Sequence, residues 1–161
     1  LSAQENFSFQ VFLSLGSNIG NKRLNIQNAI TELSKHLIIK KISSLYETEP
    51  LLYENQENFY NLVIEVEFEK PSSELLEIIK SIEENLGRKS TFRYGPRIID
   101  IDILFFKNEI VENKDLTIPH YDWQNRRFVI EPLSELLNEK IEINEKKISS
   151  QNIKNLGKIF N

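Results

Sequence analysis

The sequence predicts an α+β fold in which helices cover one face of a single antiparallel sheet. Two observations carry this prediction. Four segments have the alternating, or the β-branched and aromatic, composition of strands, and two segments repeat apolar residues every three or four positions, as amphipathic helices do. These segments follow one another in the order βαββαβ. The chain has 161 residues, the length of one ordinary domain, and we expect residues 1–161 to form that single domain.

The predicted strands are bounded by turn residues and by loops of low apolar content. They cover residues 9–15, 41–48, 61–69 and 98–106, with a short return strand at 110–111. The third strand is the clearest, because Leu62, Ile64 and Val66 alternate with mostly polar neighbours. Segment 49–58 contains Pro50 and few apolar residues, so it is predicted to be a loop between two strands.

Two helices are predicted between these strands. The first follows the capping residue Asn21 and runs to about residue 36, and the second begins at 71–73 and ends before Gly87, which suits a left-handed terminator. Their apolar stripes are Ile26, Ile30, Leu33 and Leu37 in the first helix, and Leu75, Ile79, Ile82 and Leu86 in the second.

This order is that of the split βαβ, or ferredoxin-like, sandwich, in which both helices lie on one face of the antiparallel sheet. The other face would then be open and available for an active site. A C-terminal extension follows, and it is predicted to contain a helix near residues 125–137 and a short helix near the end.

The composition excludes several kinds of chemistry. Without cysteine there can be no disulfide scaffold, iron–sulfur cluster, thiolate zinc site or thiol nucleophile. The net charge of −4 disfavours a sequence-independent nucleic-acid binder. No apolar run approaches the roughly 18 residues of a membrane span, and residues 1–6 do not resemble a signal peptide. We therefore expect a cytoplasmic monomer that binds neither nucleic acid nor membrane. Because the sequence has no methionine, even at position 1, its native start is missing or processed, and the chain could be a domain cut from a longer one.

The chemistry is concentrated in the strand that follows Arg97. Alternation places Ile99, Ile101 and Ile103 on one face of that strand and Asp100 and Asp102 on the other, with the Cα atoms of the two aspartates roughly 6.6 Å apart. Two carboxylates so close repel each other, and a divalent cation such as magnesium would reverse that cost. Spacing alone leaves a simple polar sheet face as an equal alternative.

A cationic loop precedes this strand. Arg88, Lys89, Arg93 and Arg97 lie within ten residues that have few apolar anchors. Guanidinium groups pair with phosphate oxygens in a bidentate manner, so cations beside a carboxylate pair favour polyphosphate binding over a merely solvated loop.

Other signals are weaker. The turn 16–20 lies between a strand and a helix but lacks the lysine of a P-loop, so a structural turn is favoured over a phosphate cradle. His120 and Tyr121 could act as donors, although a lone histidine is more often structural. Asn61 and Phe59 fall on the open face, where an amide can read the edge of a heterocycle and a ring can stack on it.

Several motifs together resemble the 6-hydroxymethyl-7,8-dihydropterin pyrophosphokinase family of folate biosynthesis. The strongest is the run Arg93-Tyr94-Gly95-Pro96-Arg97-Ile98-Ile99-Asp100-Ile101-Asp102-Ile103-Leu104. In the family's order there are also Leu15-Gly16-Ser17-Asn18, Tyr46-Glu47-Thr48-Glu49-Pro50-Leu51, Phe59-Tyr60-Asn61, Leu86-Gly87-Arg88 and Ile118-Pro119-His120-Tyr121-Asp122 with Asn125-Arg126 and Phe128. The resemblance covers about residues 11–137.

The resemblance implies an ATP-dependent diphosphotransferase, which moves the diphosphate of ATP to the hydroxymethyl group of the pterin and releases AMP. Its cofactor would be magnesium, two ions held by Asp100 and Asp102. The catalytic residues would be Arg88, Arg97, Asp100 and Asp102, and ATP would be bound by Glu83, Arg88, Arg97, His120, Tyr121 and Arg126. The pterin would be bound by Thr48, Pro50, Leu51, Phe59, Asn61, Tyr94 and Phe128.

By the same resemblance, segments 49–58 and 88–97 are loops that close over the substrates and exclude water. Tyr94, Ser90 and Lys80 depart from the family, which commonly has tryptophan, arginine and glutamine there. Because Ser90 replaces an arginine, the closed loop has one cation fewer for holding phosphate.

Three other classes of protein stay open at this point. An RNA-binding module would use the same sheet face but would need aromatic platforms where Asp100 and Asp102 lie. A palm-type nucleotidyltransferase also carries aspartates on such a sheet, and its product would be polymer and pyrophosphate instead of AMP. A regulatory binder would bind nucleotide without turnover.

Overall fold

The computed structural model describes residues 9–51, 55–87, 96–141 and 148–161. The helices are α1 (Lys22–Leu33), α2 (Ser72–Asn85) and α3 (Arg127–Leu137), and a short 3-10 turn covers Trp123–Asn125. The strands are β1 (Val11–Ser17), β2 (Ile38–Ile42), β3 (Leu45–Thr48), β4 (Phe59–Glu67), β5 (Asp100–Phe106), β6 (Val111–Glu112), β7 (Thr117–Ile118) and β8 (Ile153–Gly157). No helix in these ranges is long and apolar enough to cross a membrane.

The main sheet is antiparallel in the pairings that join its strands. Its order is β5-β1-β4-β3-β8, with β2 also paired to β4, while β6 and β7 form a separate two-stranded sheet. The single strand expected at 41–48 is therefore two strands. They are separated at Ser43, whose backbone N–H donates to Val63 O and whose hydroxyl accepts the Val63 N–H.

The helix boundaries follow the local signals. Asn21 caps α1 by accepting the Leu24 N–H at 3.1 Å, as predicted. Gly87 has a φ of +93° beyond the end of α2, which confirms the predicted left-handed terminator. The first helix ends at Leu33, earlier than residue 36, because the Lys35 and His36 N–H groups bond three residues back, to Glu32 O and Leu33 O, instead of four.

The sheet is apolar on both faces, and the two faces have different partners. Leu13 of β1 and Leu62 of β4 pack with α1 and α2 in a first core, whereas Phe12 and Val63 pack with α3 in a second. The face expected to be open is thus covered at one end by α3. Its uncovered end carries polar residues of β1, β4 and β5.

The C-terminal extension contains a strand that was not predicted. The short helix expected near the end is not contradicted, because Ile148 is helical and residues 142–147 lie outside the described residues. Residues 153–157 form β8, which pairs with β3 through a register shift between Leu45 and Tyr46. The shift interrupts the alternation of a strand and leaves Ile153 and Leu156 three positions apart, so the sequence pattern does not reveal β8. Arg23 and Gln27 of α1 fix the end of the chain by donating to the carbonyls of Lys158 and Ile159.

Candidate active site

A cavity of about 320 Å³ lies at the uncovered end of the second sheet face. Nine predicted site residues line it: Thr48, Leu51, Phe59, Asn61, Arg97, Asp100, Asp102, Arg126 and Phe128. Ser14, Gly16, Glu49, Gln56 and Asp122 also line it. The sheet thus brings residues from distant parts of the sequence to one cavity of a size suited to a small molecule.

The two aspartates lie side by side along β5, half-buried, across from the small residues of β1. Asp100 is the register partner of Gly16, and Asp102 is the register partner of Ser14. The small neighbours leave space above the carboxylates, and Ile101 between them is buried on the opposite face. The predicted alternation is therefore present.

The donor chemistry here fits magnesium. Within the described ranges no group of three or more His, Cys, Asp or Glu side chains could hold a metal by itself. Mg²⁺ uses one or two carboxylates and completes its octahedral shell with water and substrate phosphates. A pair of half-buried carboxylates at a cavity wall is that kind of partial site.

Asn61 is held rigidly at the floor of the cavity. It is buried on β4, its Nδ2 donates to Thr48 Oγ1 at 2.8 Å, and its partner across the strand pair is Gly16. A Cβ on Gly16 would lie 2.7 Å from Asn61 Oδ1, so the amide lies directly over a backbone that has no side chain. One amide proton and the Oδ1 atom are therefore fixed in direction.

Arg126 lies among aromatic rings at the start of α3. Its guanidinium carbon is 5.5 Å from the ring centre of Phe128 and 5.9 Å from that of Tyr121. Its Nε donates to Asp122 Oδ2 at 3.3 Å. Burial disfavours the charged form of Asp122, but hydrogen bonds from Asn125 and Arg126, with the charge of Arg126, hold the pKa of Asp122 below its ordinary value.

His120 is a neutral hydrogen-bonding group. Burial, followed by the charge of Arg126, lowers the pKa of His120 from 6.5 to about 4. Its Nδ1 accepts the Asp122 backbone N–H at 3.2 Å, which leaves the ring proton on Nε2. Its ring stacks on Tyr121 with centroids 4.8 Å apart. The residue can donate from Nε2 at neutral pH without carrying charge.

A second cavity of about 240 Å³ adjoins the first. Asp102 lines both cavities, and His120 and Tyr121 line the second together with residues 113–117. The predicted ATP residues are therefore divided between two adjacent spaces: Arg97 and Arg126 line the first, and His120 and Tyr121 line the second. Asp102 is at the junction.

Four predicted residues remain to be considered, namely Arg88, Tyr94, Pro50 and Glu83. Arg88 and Tyr94 fall outside the described residues. Pro50 is half-buried near the first cavity but does not line it. Glu83 lines neither cavity; it is 5% exposed, and its Oε2 accepts the Ile101 backbone N–H at 3.0 Å.

The sequence analysis missed several lining residues. Asp122 could have been found, because it directly follows His120 and Tyr121 in a quoted motif. Lys114, Leu116 and Thr117 come from the turn and hairpin around β6 and β7, which has no apolar periodicity to reveal it. Gln56 and Glu49 belong to segment 49–58, which was predicted to be a loop that closes over the substrates, but neither residue was given a role.

The fold and the cavity define a mixed α and β domain with an antiparallel sheet and a small-molecule site made of acidic, cationic and aromatic side chains. Residues 12–138 match the family described as 7,8-dihydro-6-hydroxymethylpterin-pyrophosphokinase (HPPK). The chain belongs to this family. The predicted family and enzyme class are thereby confirmed.

Relatives of similar length carry the corresponding name. The 2-amino-4-hydroxy-6-hydroxymethyldihydropteridine pyrophosphokinase of Aquifex aeolicus is 44% identical over 126 residues, 78% of this chain and 79% of that protein. The protein of the same name from Bacillus subtilis is 40% identical over 127 residues, 78% of this chain and 76% of that protein.

Longer proteins contain the same unit. The folic acid synthesis protein FOL1 of Dictyostelium discoideum is 43% identical over 126 residues, 78% of this chain but 19% of that protein. The structure of a Plasmodium falciparum HPPK-DHPS with pterin and p-hydroxybenzoate has a TM-score of 0.60 at 22% identity, over 78% of this chain and 37% of that one. The likeness to that structure concerns the fold alone.

Proposed function

We propose that this chain transfers the terminal diphosphate of ATP to the hydroxymethyl oxygen of 6-hydroxymethyl-7,8-dihydropterin, a step of folate biosynthesis. The hydroxymethyl oxygen bonds to the β-phosphorus, the bond from that phosphorus to the α–β bridging oxygen breaks, and AMP leaves. The hydroxyl proton is released. Besides family membership, the observation that carries the proposal is the cavity in which Asp100, Asp102, Arg97, Asn61 and two phenylalanine rings meet.

The pterin side of the cavity is the one lined by Phe59, Asn61 and Phe128. A pterin is a flat ring with an edge of alternating donors and acceptors. Two rings enclose such a heterocycle favourably, and the fixed Asn61 amide can pair with its edge. Thr48 supports this role because its hydroxyl accepts from Asn61 and sets the orientation of the amide. Pro50, Leu51 and Tyr94 belong to the same proposed pocket through the family resemblance.

The phosphate side is the one with Arg97, Arg126 and the aspartates. Arg126 and Arg97 supply guanidinium groups for phosphate oxygens, and Arg88 would join them from the loop. Neutral His120 can donate Nε2–H to an oxygen, while Tyr121 offers a ring and a hydroxyl in the adjacent cavity. The nucleotide would bind in this second cavity.

We assign two magnesium ions to Asp100 and Asp102. When bound, they would neutralise the triphosphate and stabilise the charge on attacking and leaving oxygens. The carboxylates would attract the cations, and only through these cations could they favour the binding of the anionic phosphate chain near β5. We also propose that the βαββαβ core is of the ferredoxin-like type, which the strand order β5-β1-β4 and the placement of α1 and α2 support.

The test is an assay with ATP, Mg²⁺ and 6-hydroxymethyl-7,8-dihydropterin, with both products separated by chromatography. We expect AMP and the pterin diphosphate in equal amounts. ADP instead of AMP, or AMP without pterin diphosphate, would contradict the proposal.

Asp102→Asn is the informative variant. The neutral isostere should fold normally and lower turnover at least about 100-fold, because electrostatic stabilisation is the main contribution to phosphoryl transfer. Glu69→Gln, at an exposed carboxylate beyond the end of β4 that lines neither cavity, is the matched control, and it should stay within a few-fold of the parent chain. Normal turnover of Asp102→Asn at saturating Mg²⁺ would reject the metal assignment.

A further inference from the structure

Asn18, in the turn after β1, is bonded to the segment that leads into β5. Its backbone N–H donates to Arg97 O at 3.0 Å, and its Oδ1 accepts the Arg97 N–H at 2.7 Å. Arg97 is thereby held through both of its backbone polar groups, three residues before the strand pairing at Asp100. Asn18 is 1% exposed, so these bonds are shielded from water.

The same side chain is bonded to the segment that leads into β4. Asn18 Nδ2 donates to Gln56 Oε1 at 2.8 Å and to Glu57 O at 3.2 Å. Both amide protons are therefore used on this segment, whereas the amide oxygen is used on Arg97. One buried amide connects two segments that are about 40 residues apart in the chain.

This pattern exceeds what a turn needs. Asn25 shows what local support looks like, because its amide donates only to Ser17 Oγ and Ile19 O within the same turn. The Asn18 side chain instead bonds to two distant segments. One residue of each segment, Arg97 and Gln56, lines the first cavity. The two segments lie on different sides of the proposed reaction: Arg97 on the phosphate side and residues 55–58 on the side of Phe59 and the pterin.

We propose that Asn18 is a positioning residue that holds Arg97 and the 55–58 segment at a fixed separation. In this role it does not touch either substrate. It sets where the Arg97 guanidinium points, through the Arg97 backbone, and it sets the wall of the pterin pocket, through Gln56 and Glu57. The inference rests on the proposed function, because it concerns how the two substrate sides are kept in register for transfer.

A kinetic cycle tests the connection to Arg97. Turnover is measured for the parent chain, Asn18→Ala, Arg97→Ala and the double variant, each with both substrates varied. We expect Asn18→Ala to lower kcat about tenfold or more, and the double variant to be no slower than Arg97→Ala alone, because Asn18 acts on kcat through that guanidinium. If the two losses multiply, or if kcat is unchanged and only the melting temperature falls, the proposal is overturned.

Two further variants test the roles of the Oδ1 and Nδ2 atoms of Asn18 separately. Asn18→Asp keeps an oxygen for the Arg97 N–H and loses both donors to residues 56 and 57, so it should retain most of kcat and raise the pterin KM at least about threefold. Asn25→Ala, which removes the α1 side chain bonded to the same turn, should change neither parameter by more than about twofold. Equal losses in Asn18→Asp and Asn18→Ala, or a similar loss in Asn25→Ala, would indicate a general effect on the turn.

A measurement without turnover supports the kinetic one. In amide hydrogen exchange, Asn18→Asp should leave the Arg97 N–H protected, whereas Asn18→Ala should raise its exchange at least about tenfold. Unchanged protection in Asn18→Ala would overturn the inference even if activity falls. Absence of AMP formation by the parent chain would reject the proposed function instead, and the exchange result would still decide whether Asn18 holds these segments.

Discussion

At the scale of single residues, the absence of a side chain at Gly16 leaves room for the Asn61 amide. A Cβ at position 16 would lie 2.7 Å from Asn61 Oδ1, too close for the amide to stay. Gly16→Ala should therefore displace Asn61, break its bond to Thr48 and weaken pterin binding about tenfold, since a lost buried hydrogen bond costs roughly 1–3 kcal/mol. Calorimetric titration with 6-hydroxymethylpterin measures the loss.

The control for this prediction is the Asn61→Ala background. There the added methyl group has no amide to displace, so Gly16→Ala should cost little further affinity. If Gly16→Ala binds the pterin as tightly as the parent chain does, the amide is not part of the pocket.

His120 gives a pH dependence at the same scale. Its pKa is lowered to about 4 in the folded protein, from an ordinary value of 6.5, so between these values the unfolded chain binds more protons than the folded one. The unfolding free energy should therefore fall as the pH falls from 6.5 to 4, by up to roughly 3 kcal/mol. Urea denaturation of the ligand-free protein at several pH values tests this.

His120→Gln serves as the reference, because glutamine does not titrate in this range. As the pH falls from 6.5 to 4, the unfolding free energy of the parent chain should decrease relative to that of His120→Gln. A constant difference would mean that His120 has an ordinary pKa.

At the scale of elements, α2 supplies a hydrogen-bond acceptor to the outer edge of β5. β5 is the first strand in the sheet order, and Glu83 of α2 accepts the Ile101 N–H between Asp100 and Asp102. Glu83→Leu removes this acceptor, so it should lower the unfolding free energy by about 1–3 kcal/mol and raise the Mg²⁺ concentration for half-maximal turnover. Glu83 is buried, and its burial favours a role in supporting β5 over direct contact with ATP.

Glu83→Gln retains a side-chain oxygen that can accept the same N–H. It should recover most of the stability and of the Mg²⁺ dependence, as followed by urea denaturation and by turnover in a Mg²⁺ titration. If Glu83→Gln is as impaired as Glu83→Leu, the carboxylate charge matters and the hydrogen bond to Ile101 is not the cause.

At the scale of the whole molecule, alternation in strands is what made the site predictable. Gly16 is the register partner of both Asn61 and Asp100, so residues on one face of two separate strands meet across β1. Period-two alternation is a local property of the sequence, and strand pairing turns it into proximity. Alternation therefore assigned Phe59, Asn61, Asp100 and Asp102 of the first cavity, whereas Thr48 came from the family resemblance and Ser14 and Gly16 of β1 were missed.

The features that could not be predicted depend on long-range packing. The apolar stripe of α3 requires a partner, but nothing in it specifies the sheet face around Phe12 and Val63. The second cavity is built by residues 113–117, which lack periodicity. β8 is recognisable only through its pairing with β3, whose register shift disguises the alternation.

The last prediction concerns whether the C-terminal segment belongs to the same folding unit as the rest. Ile159 is 3% exposed in the first core, whereas Trp123, the single tryptophan, lies in the second core on the opposite sheet face. Ile159→Ala should lower the unfolding free energy by about 2–5 kcal/mol, as large-to-small changes in a core do. The neighbouring control Phe160→Ala should change it little, because Phe160 is 39% exposed. If both cores unfold together, urea transitions followed by Trp123 fluorescence and by circular dichroism should coincide and shift equally in Ile159→Ala. A fluorescence transition that does not move would mean that the end of the chain detaches independently and that β8 is not needed to hold β3 and its Thr48 at the site.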